Sequence, residues 1–247
     1  MADPEWVGMA VRASCKYVVP GMEAVEARLH IPYATRDGAT QRYDLYDAAP
    51  ERSTKVVLLV HGGPIPDNLQ ATPADWGLFQ SLARLLAASG VTAVMFNHRF
   101  FSPELAPTAM NDIEDLISHL GLKRVGLWVF SGGGSLLGRL LRNTPASLRC
   151  VVAYYAALEA KTREFSAADA IEENSGRVPP ILVARGGLDT PELNYTIDRF
   201  VAAALKNNVA IDVMNHPAGQ HGFDFRDDNQ RTREILARTL EFIRTHL

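Results

Sequence analysis

Val125-Gly126-Leu127-Trp128-Val129-Phe130-Ser131-Gly132-Gly133-Gly134-Ser135-Leu136-Leu137 decides how this chain is read. Its first six residues are an uninterrupted apolar run of strand length, as expected of a parallel strand buried on both faces. Three glycines follow the serine, and the pattern beyond them predicts a helix over 134–142. A strand that turns this tightly into a helix holds the intervening hydroxyl out from the backbone. The N–H groups of the helix start then lie beside it, where they suit an oxyanion. Ser131 is thus a candidate nucleophile, although Ser-Gly-Gly-Gly is also the composition of a plain loop and helix start.

The same rhythm extends in both directions. Before Ser131, strands are expected at 55–60 and 91–96, and amphipathic helices at 74–89 and 110–120, closed by Gly90 and Gly121. After it, strands are expected at 148–154, 181–185 and 209–215, and helices at 191–206 and 230–245. Ahead of these, 27–33 and 41–48 alternate around Arg36-Asp37-Gly38, a hairpin signal. Strands alternating with helices imply an α/β class with a mostly parallel sheet of about eight strands and helices on both faces. No repeat, low-complexity tract or linker interrupts the pattern, so 1–247 reads as one domain. Residues 1–25 read as a short helix and extension covering one edge. Residues 156–178, with Phe165 and a helix-like 166–173, read as a small cap over the site. Strand 209–215 reads as an edge available for pairing, which leaves monomer and homodimer open.

Composition limits the partners. The 247 residues, 47% of them hydrophobic, are enough to bury a large core without staples. Twenty-five basic residues stand against 28 acidic ones with no basic cluster, which argues against nucleic acid and anionic membranes as partners. No apolar run approaches a membrane span, and the early Asp3 and Glu5 do not fit a secretion signal, so a cytoplasmic location is expected. Cys15 and Cys150 read as buried free thiols. No Cys or His spacing suits a metal.

Ligands of such sheets sit beyond the carboxyl ends of the strands, and three strand ends carry polar groups of interest. Ser131 follows the strand at 125–130. Gly186-Gly187-Leu188-Asp189-Thr190 follows 181–185, where a carboxylate is placed to orient an imidazole. His216-Pro217-Ala218-Gly219-Gln220-His221-Gly222-Phe223 follows 209–215, with His221 on a glycine-flanked loop. A serine hydroxyl needs a base to remove its proton, histidine can do so near neutral pH, and an aspartate fixes the tautomer and stabilises the imidazolium.

These residues, in the order Ser, Asp, His, resemble the α/β-hydrolase superfamily over nearly the whole chain. Val129-Phe130-Ser131-Gly132-Gly133 approximates its G-x-S-x-G nucleophile elbow. Arg185-Gly186-Gly187-Leu188-Asp189 and Gly219-Gln220-His221-Gly222-Phe223 look most like the dienelactone-hydrolase and small serine esterase branch. His61-Gly62-Gly63-Pro64 is similar to the H-G-G oxyanion motif. The resemblance implies an oxyanion hole from the backbone N–H of Gly132 and one from the first loop. Pro64 stands where a third glycine would add a donor, and it has no N–H, so Gly63 and Gly132 are the two expected donors. Val129 departs from the small residue usual before the elbow.

Rival residues fit less well. Ser135 would already be helical, with the bulky Leu137 two residues on. Glu192 lies in a helix start, where a carboxylate has a stabilising role anyway. His216 sits at the strand end, stiffened by the adjoining Pro217. His61 reads as support for the oxyanion loop and His98 as a pocket candidate. His30, His119 and His246 read as surface or helix-end residues. Trp76, Phe100, Phe101 and Phe165 are candidates for an apolar pocket as well as for plain packing. Arg226 is a candidate partner for a substrate carboxylate, or an ordinary surface arginine. The expected activity is a serine hydrolase acting on a small-molecule carboxylic ester through an acyl-enzyme, with no metal or organic cofactor. A thioesterase, lactonase or amidase with the same triad is the alternative, and a non-catalytic ligand-binding module the rival of another class. Peptidase relatives with a similar His-Gly-Gly-Pro carry a further large domain, for which this chain has no room.

Overall fold

In the computed structural model, which describes residues 4–47, 55–160 and 162–247, the apolar runs become the strands of one sheet. Strands β1 (Ala27–Arg36) and β2 (Ala39–Tyr46) form the expected hairpin, with Asp37 and Gly38 both at positive φ as such tight turns require. The end of the expected strand 41–48, at Ala48, lies outside the described residues. β3 (Val56–Val60), β4 (Thr92–Phe96), β5 (Val125–Phe130), β6 (Leu148–Tyr154), β7 (Ile181–Gly186) and β8 (Ile211–His216) pair in parallel. β2 joins them antiparallel to β4, and the order across the sheet is β1-β2-β4-β3-β5-β6-β7-β8. β8 is therefore an edge strand, as expected for 209–215, although it begins only at Ile211.

The helices are α1 (Pro4–Arg12), α2 (Gly77–Ala88), α3 (Ala106–Leu120), α4 (Leu137–Arg142), α5 (Ala167–Asn174), α6 (Pro191–Lys206), α7 (Phe223–Arg226) and α8 (Gln230–His246). Side chains alternate across a strand, so each apolar run feeds two cores. Val57, Leu59, Trp128 and Phe130 face α1, α2 and α8, whereas Leu58, Val60, Leu127 and Val129 face α3, α4, α5 and α6. Each of these side chains is almost wholly removed from water, which is worth about 1.5–3 kcal/mol apiece. Val129, the departure from the usual elbow, is one of them: it pairs with Val60 and Ala153 and fills the second core.

Three helix starts differ from expectation. Pro73–Asp75 forms its own 3-10 turn, held by a reciprocal Thr72–Asp75 cap, so α2 begins only at Gly77. α3 begins at Ala106 because Pro107 occupies its first turn, where a missing N–H is no loss. The chain after Ser131 first winds as a 3-10 helix (Ser131–Leu136) and becomes α-helical at Leu137. Cys15 and Cys150 are buried and free, and burial pushes the Cys150 thiol up to about 12. Among the described residues no helix is long and apolar enough to cross a membrane, and no three His, Cys, Asp or Glu side chains cluster to hold a metal.

Candidate active site

The register of the sheet brings the candidate residues together. β5 lies between β3 and β6, with Val60 opposite Val129, so the His61-Gly62-Gly63 loop leaves the sheet beside the turn at Ser131. Gly186 is opposite His216, so the loops beyond β7 and β8 also start side by side. Those two loops are laced together: Gly187 N–H donates to the His216 carbonyl (2.9 Å) and Leu188 N–H to that of Gly219 (2.9 Å). The Asp227 carboxylate accepts both the backbone N–H (2.8 Å) and the side-chain amide (2.7 Å) of Gln220, fixing the residue before His221.

The result is a hydrogen-bonded line. His221 Nδ1 lies 2.7 Å from Asp189 Oδ2, and His221 Nε2 lies 2.9 Å from Ser131 Oγ. Asp189 can only accept when ionised, so Nδ1 carries the proton and Nε2 is free to accept from the Ser131 hydroxyl. The Asp189 side chain is 3% exposed and takes a second bond from the Thr190 N–H at 2.8 Å. Ser131 has φ +49, a left-handed conformation costly for a residue with a Cβ and found preferentially at functional turns. The three residues singled out by sequence are thus joined in one line through His221. Their rivals are elsewhere: the Ser135 hydroxyl donates back to the Gly132 carbonyl, Glu192 is exposed at the start of α6, and buried His216 meets Thr232.

Gly132 is required by closeness. A Cβ built there would lie 1.6 Å from the Gly63 carbonyl oxygen, so the strand-to-helix turn and the Gly62-Gly63 loop meet only because that side chain is missing. Neither the Gly63 nor the Gly132 N–H is drawn into the backbone bonds of the surrounding turns and loops. The loop is held from behind. His61 Nδ1–H donates to the Gly62 carbonyl at 2.6 Å. The Gly62–Gly63 peptide is trans, so pinning its C=O sends the Gly63 N–H to the opposite side. His61 Nε2 accepts the His98 N–H (3.3 Å), and His98 Nε2–H donates to the His61 carbonyl (3.1 Å). Asp112 then grips Arg99 through its N–H and guanidinium, which fixes Phe100 against Gly63.

A cavity of about 560 Å3 opens over Ser131, lined also by Gly62, Gly63, Asp189, His221 and a largely apolar wall that includes Trp76. Of the four aromatic residues named from sequence only Trp76 lines it. Phe100 is buried beside Gly63, Phe101 is partly exposed, and Phe165 is buried with its backbone against Gly138. None of the described residues of 156–178 lines the cavity. That segment, whose Lys161 is outside the described residues, carries α5 against α4 and α6 on the flank of the sheet. The N-terminal segment does line it, through Trp6 of α1. Sequence reasoning also passes over Tyr155 and Asp224. The Tyr155 ring lies 4.8 Å from that of His221, and its hydroxyl donates to Asp224 at 2.8 Å. Burial raises the Asp224 carboxyl to about 7. Arg226 turns its guanidinium back to the His221 carbonyl at 3.2 Å instead of into the cavity.

No protein-family model matches the chain, and no curated protein matches its sequence. Solved structures do match. An acylaminoacyl peptidase of Pyrococcus horikoshii aligns over 90% of this chain with a TM-score of 0.73 and 16% identity. The chain spans only 42% of that peptidase. Esterase 2 of Thermogutta terrifontis, phosphonylated by cyclosarin, aligns over 91% of this chain and 95% of its own (TM-score 0.68, 15% identity). A Klebsiella pneumoniae protein assigned as a dienelactone hydrolase aligns over 89% and 98% (TM-score 0.68, 15% identity). The chain has the α/β-hydrolase fold, as its motifs imply.

Proposed function

We propose that this chain is a serine hydrolase that cleaves a small carboxylic ester through an acyl-enzyme. The observation that carries the reading is the line Ser131 Oγ, His221 Nε2, His221 Nδ1, Asp189 Oδ2, with links of 2.9 and 2.7 Å, at the floor of a cavity. His221 takes the Ser131 proton as Oγ attacks the carbonyl carbon, and Asp189 stabilises the imidazolium that forms. The N–H groups of Gly63 and Gly132 receive the oxyanion of the tetrahedral intermediate, a contribution worth about 10²–10³ in rate per donor. His221 returns the proton to the departing alcohol, leaving the acyl group on Ser131. Water, deprotonated by His221, then attacks the acyl carbon, and His221 returns that proton to Ser131 Oγ as the acid leaves. Base, acid and oxyanion donors all come from the chain, so the reaction calls for no metal or organic cofactor.

The fold shared with esterase 2 of Thermogutta terrifontis and with a peptidase leaves the scissile bond to be decided by assay. A panel of activated esters, thioesters, lactones and aminoacyl amides, run against the unaltered protein and Ser131→Ala, decides it. The reading expects the largest kcat/KM on an ester and its loss in Ser131→Ala. Turnover that survives in Ser131→Ala contradicts it.

A further inference from the structure

On the hydrolase reading, the cavity wall also bears on which alcohol the ester carries. The departing oxygen must come within hydrogen-bond reach of His221 Nε2 to be protonated. The group attached to that oxygen therefore occupies the part of the cavity nearest His221. Trp6 stands there. Its ring centroid is 6.1 Å from that of His221, and it meets Trp76 edge to face at 5.8 Å and Phe225 at 5.5 Å. α1 thus delivers an aromatic face to the acid-base end of the site, continued by Trp76, Ile65 and Leu193 in the cavity wall. Among the described residues, the one carboxylate in the wall is Asp189, already committed to His221. No lysine or arginine among the described residues lines it, and Arg226 is turned to a backbone carbonyl. A carboxylate in this cavity would lose its water without gaining a partner and would face the charge of Asp189. A planar apolar group would instead gain burial and edge contacts with the indoles.

We propose that the site takes neutral esters of apolar, aromatic alcohols, and that Trp6 is the residue that selects the alcohol. Three acetates test it: benzyl acetate, ethyl acetate and 4-carboxybenzyl acetate. They share the acyl group, and their alcohols are of similar acidity, so differences in kcat/KM report recognition. On the unaltered protein, benzyl acetate is expected to exceed each of the others by about tenfold or more, the scale of a well-filled or wrongly charged pocket. In Trp6→Ala the benzyl-to-ethyl ratio falls towards one, and in Trp6→Phe most of it returns. A merely structural role for Trp6 would lower both substrates together and leave the ratio unchanged, which overturns the proposal. Equal turnover of benzyl and 4-carboxybenzyl acetate on the unaltered protein overturns it without any variant. Phosphonate labelling of the same preparation separates the two levels. A protein that labels but shows no alcohol preference sinks this inference alone, and one that neither labels nor turns over sinks the hydrolase reading with it.

Discussion

The imidazoles of His61 and His98 are stacked, with centroids 3.6 Å apart and planes 5° from parallel, both wholly buried beneath the Gly62-Gly63 loop. Their partners specify one neutral tautomer each: protonated at Nδ1 in His61, and at Nε2 in His98, whose Nδ1 has no partner among the described residues. Burial drives both pKa values down, that of His61 to about 4. A charge on either ring would break a hydrogen bond or face the other ring without compensation.

This arrangement makes His61 a positioning residue for the Gly63 N–H. His61→Ala should lower kcat about 10–100-fold with little change in KM, somewhat less than outright loss of an oxyanion donor. His61→Asn, whose amide N–H reaches the same carbonyl, should recover most of it. Steady-state kinetics on both variants check this, and an equal fall in the two contradicts it.

The pair also sets a pH dependence of stability. The folded pKa of His61, about 4, lies below the unfolded value of about 6.5. The unfolded chain therefore binds the proton first as pH falls. Stability from this group is complete above about pH 6.5 and is lost towards pH 4, by about 3 kcal/mol in full. Asp224 acts in the opposite sense, since burial raises its folded pKa to about 7 and its contribution is lost as pH rises through that value. Thermal melts of His61→Asn and Asp224→Asn between pH 4 and 8 should separate the two. The first variant should lose less stability on acidification than the parent, and the second less on going from pH 5 to 8.

Gly132→Ala tests the closeness of the two loops. Its methyl group would lie 1.6 Å from the Gly63 oxygen, so the loop must move or the turn must open. Overpacking of this kind costs about 1–3 kcal/mol or more, and it displaces one proposed donor relative to the other. The expected outcome is a lowered melting temperature with activity down at least about 100-fold. An unchanged melting temperature with normal turnover would show that the loops do not meet as described.

Much of this architecture is legible in the sequence. Val125–Phe130 announces a buried strand by composition alone, and Asp189 and His221 follow strands whose ends must lie together once the sheet is parallel. The illegible part depends on how distant segments dock. Nothing in the first dozen residues says that Trp6 reaches His221, because helical periodicity marks an apolar face without naming what it covers. From sequence His98 is only a pocket candidate; its stacking on His61 requires knowing that β3 and β4 are neighbours. Residues 156–178 read as a cap for want of strand signals, but the apolar face of α5 matches α4 and α6, so that helix lies on the flank.

The central claim is that Ser131 is the activated nucleophile, and a fluorophosphonate probe followed by intact mass and peptide mapping tests it most directly. The account predicts one adduct per chain, on the peptide carrying Ser131, absent in Ser131→Ala and strongly slowed in His221→Ala. A folded protein that takes up no probe, or carries the adduct on another residue, contradicts it.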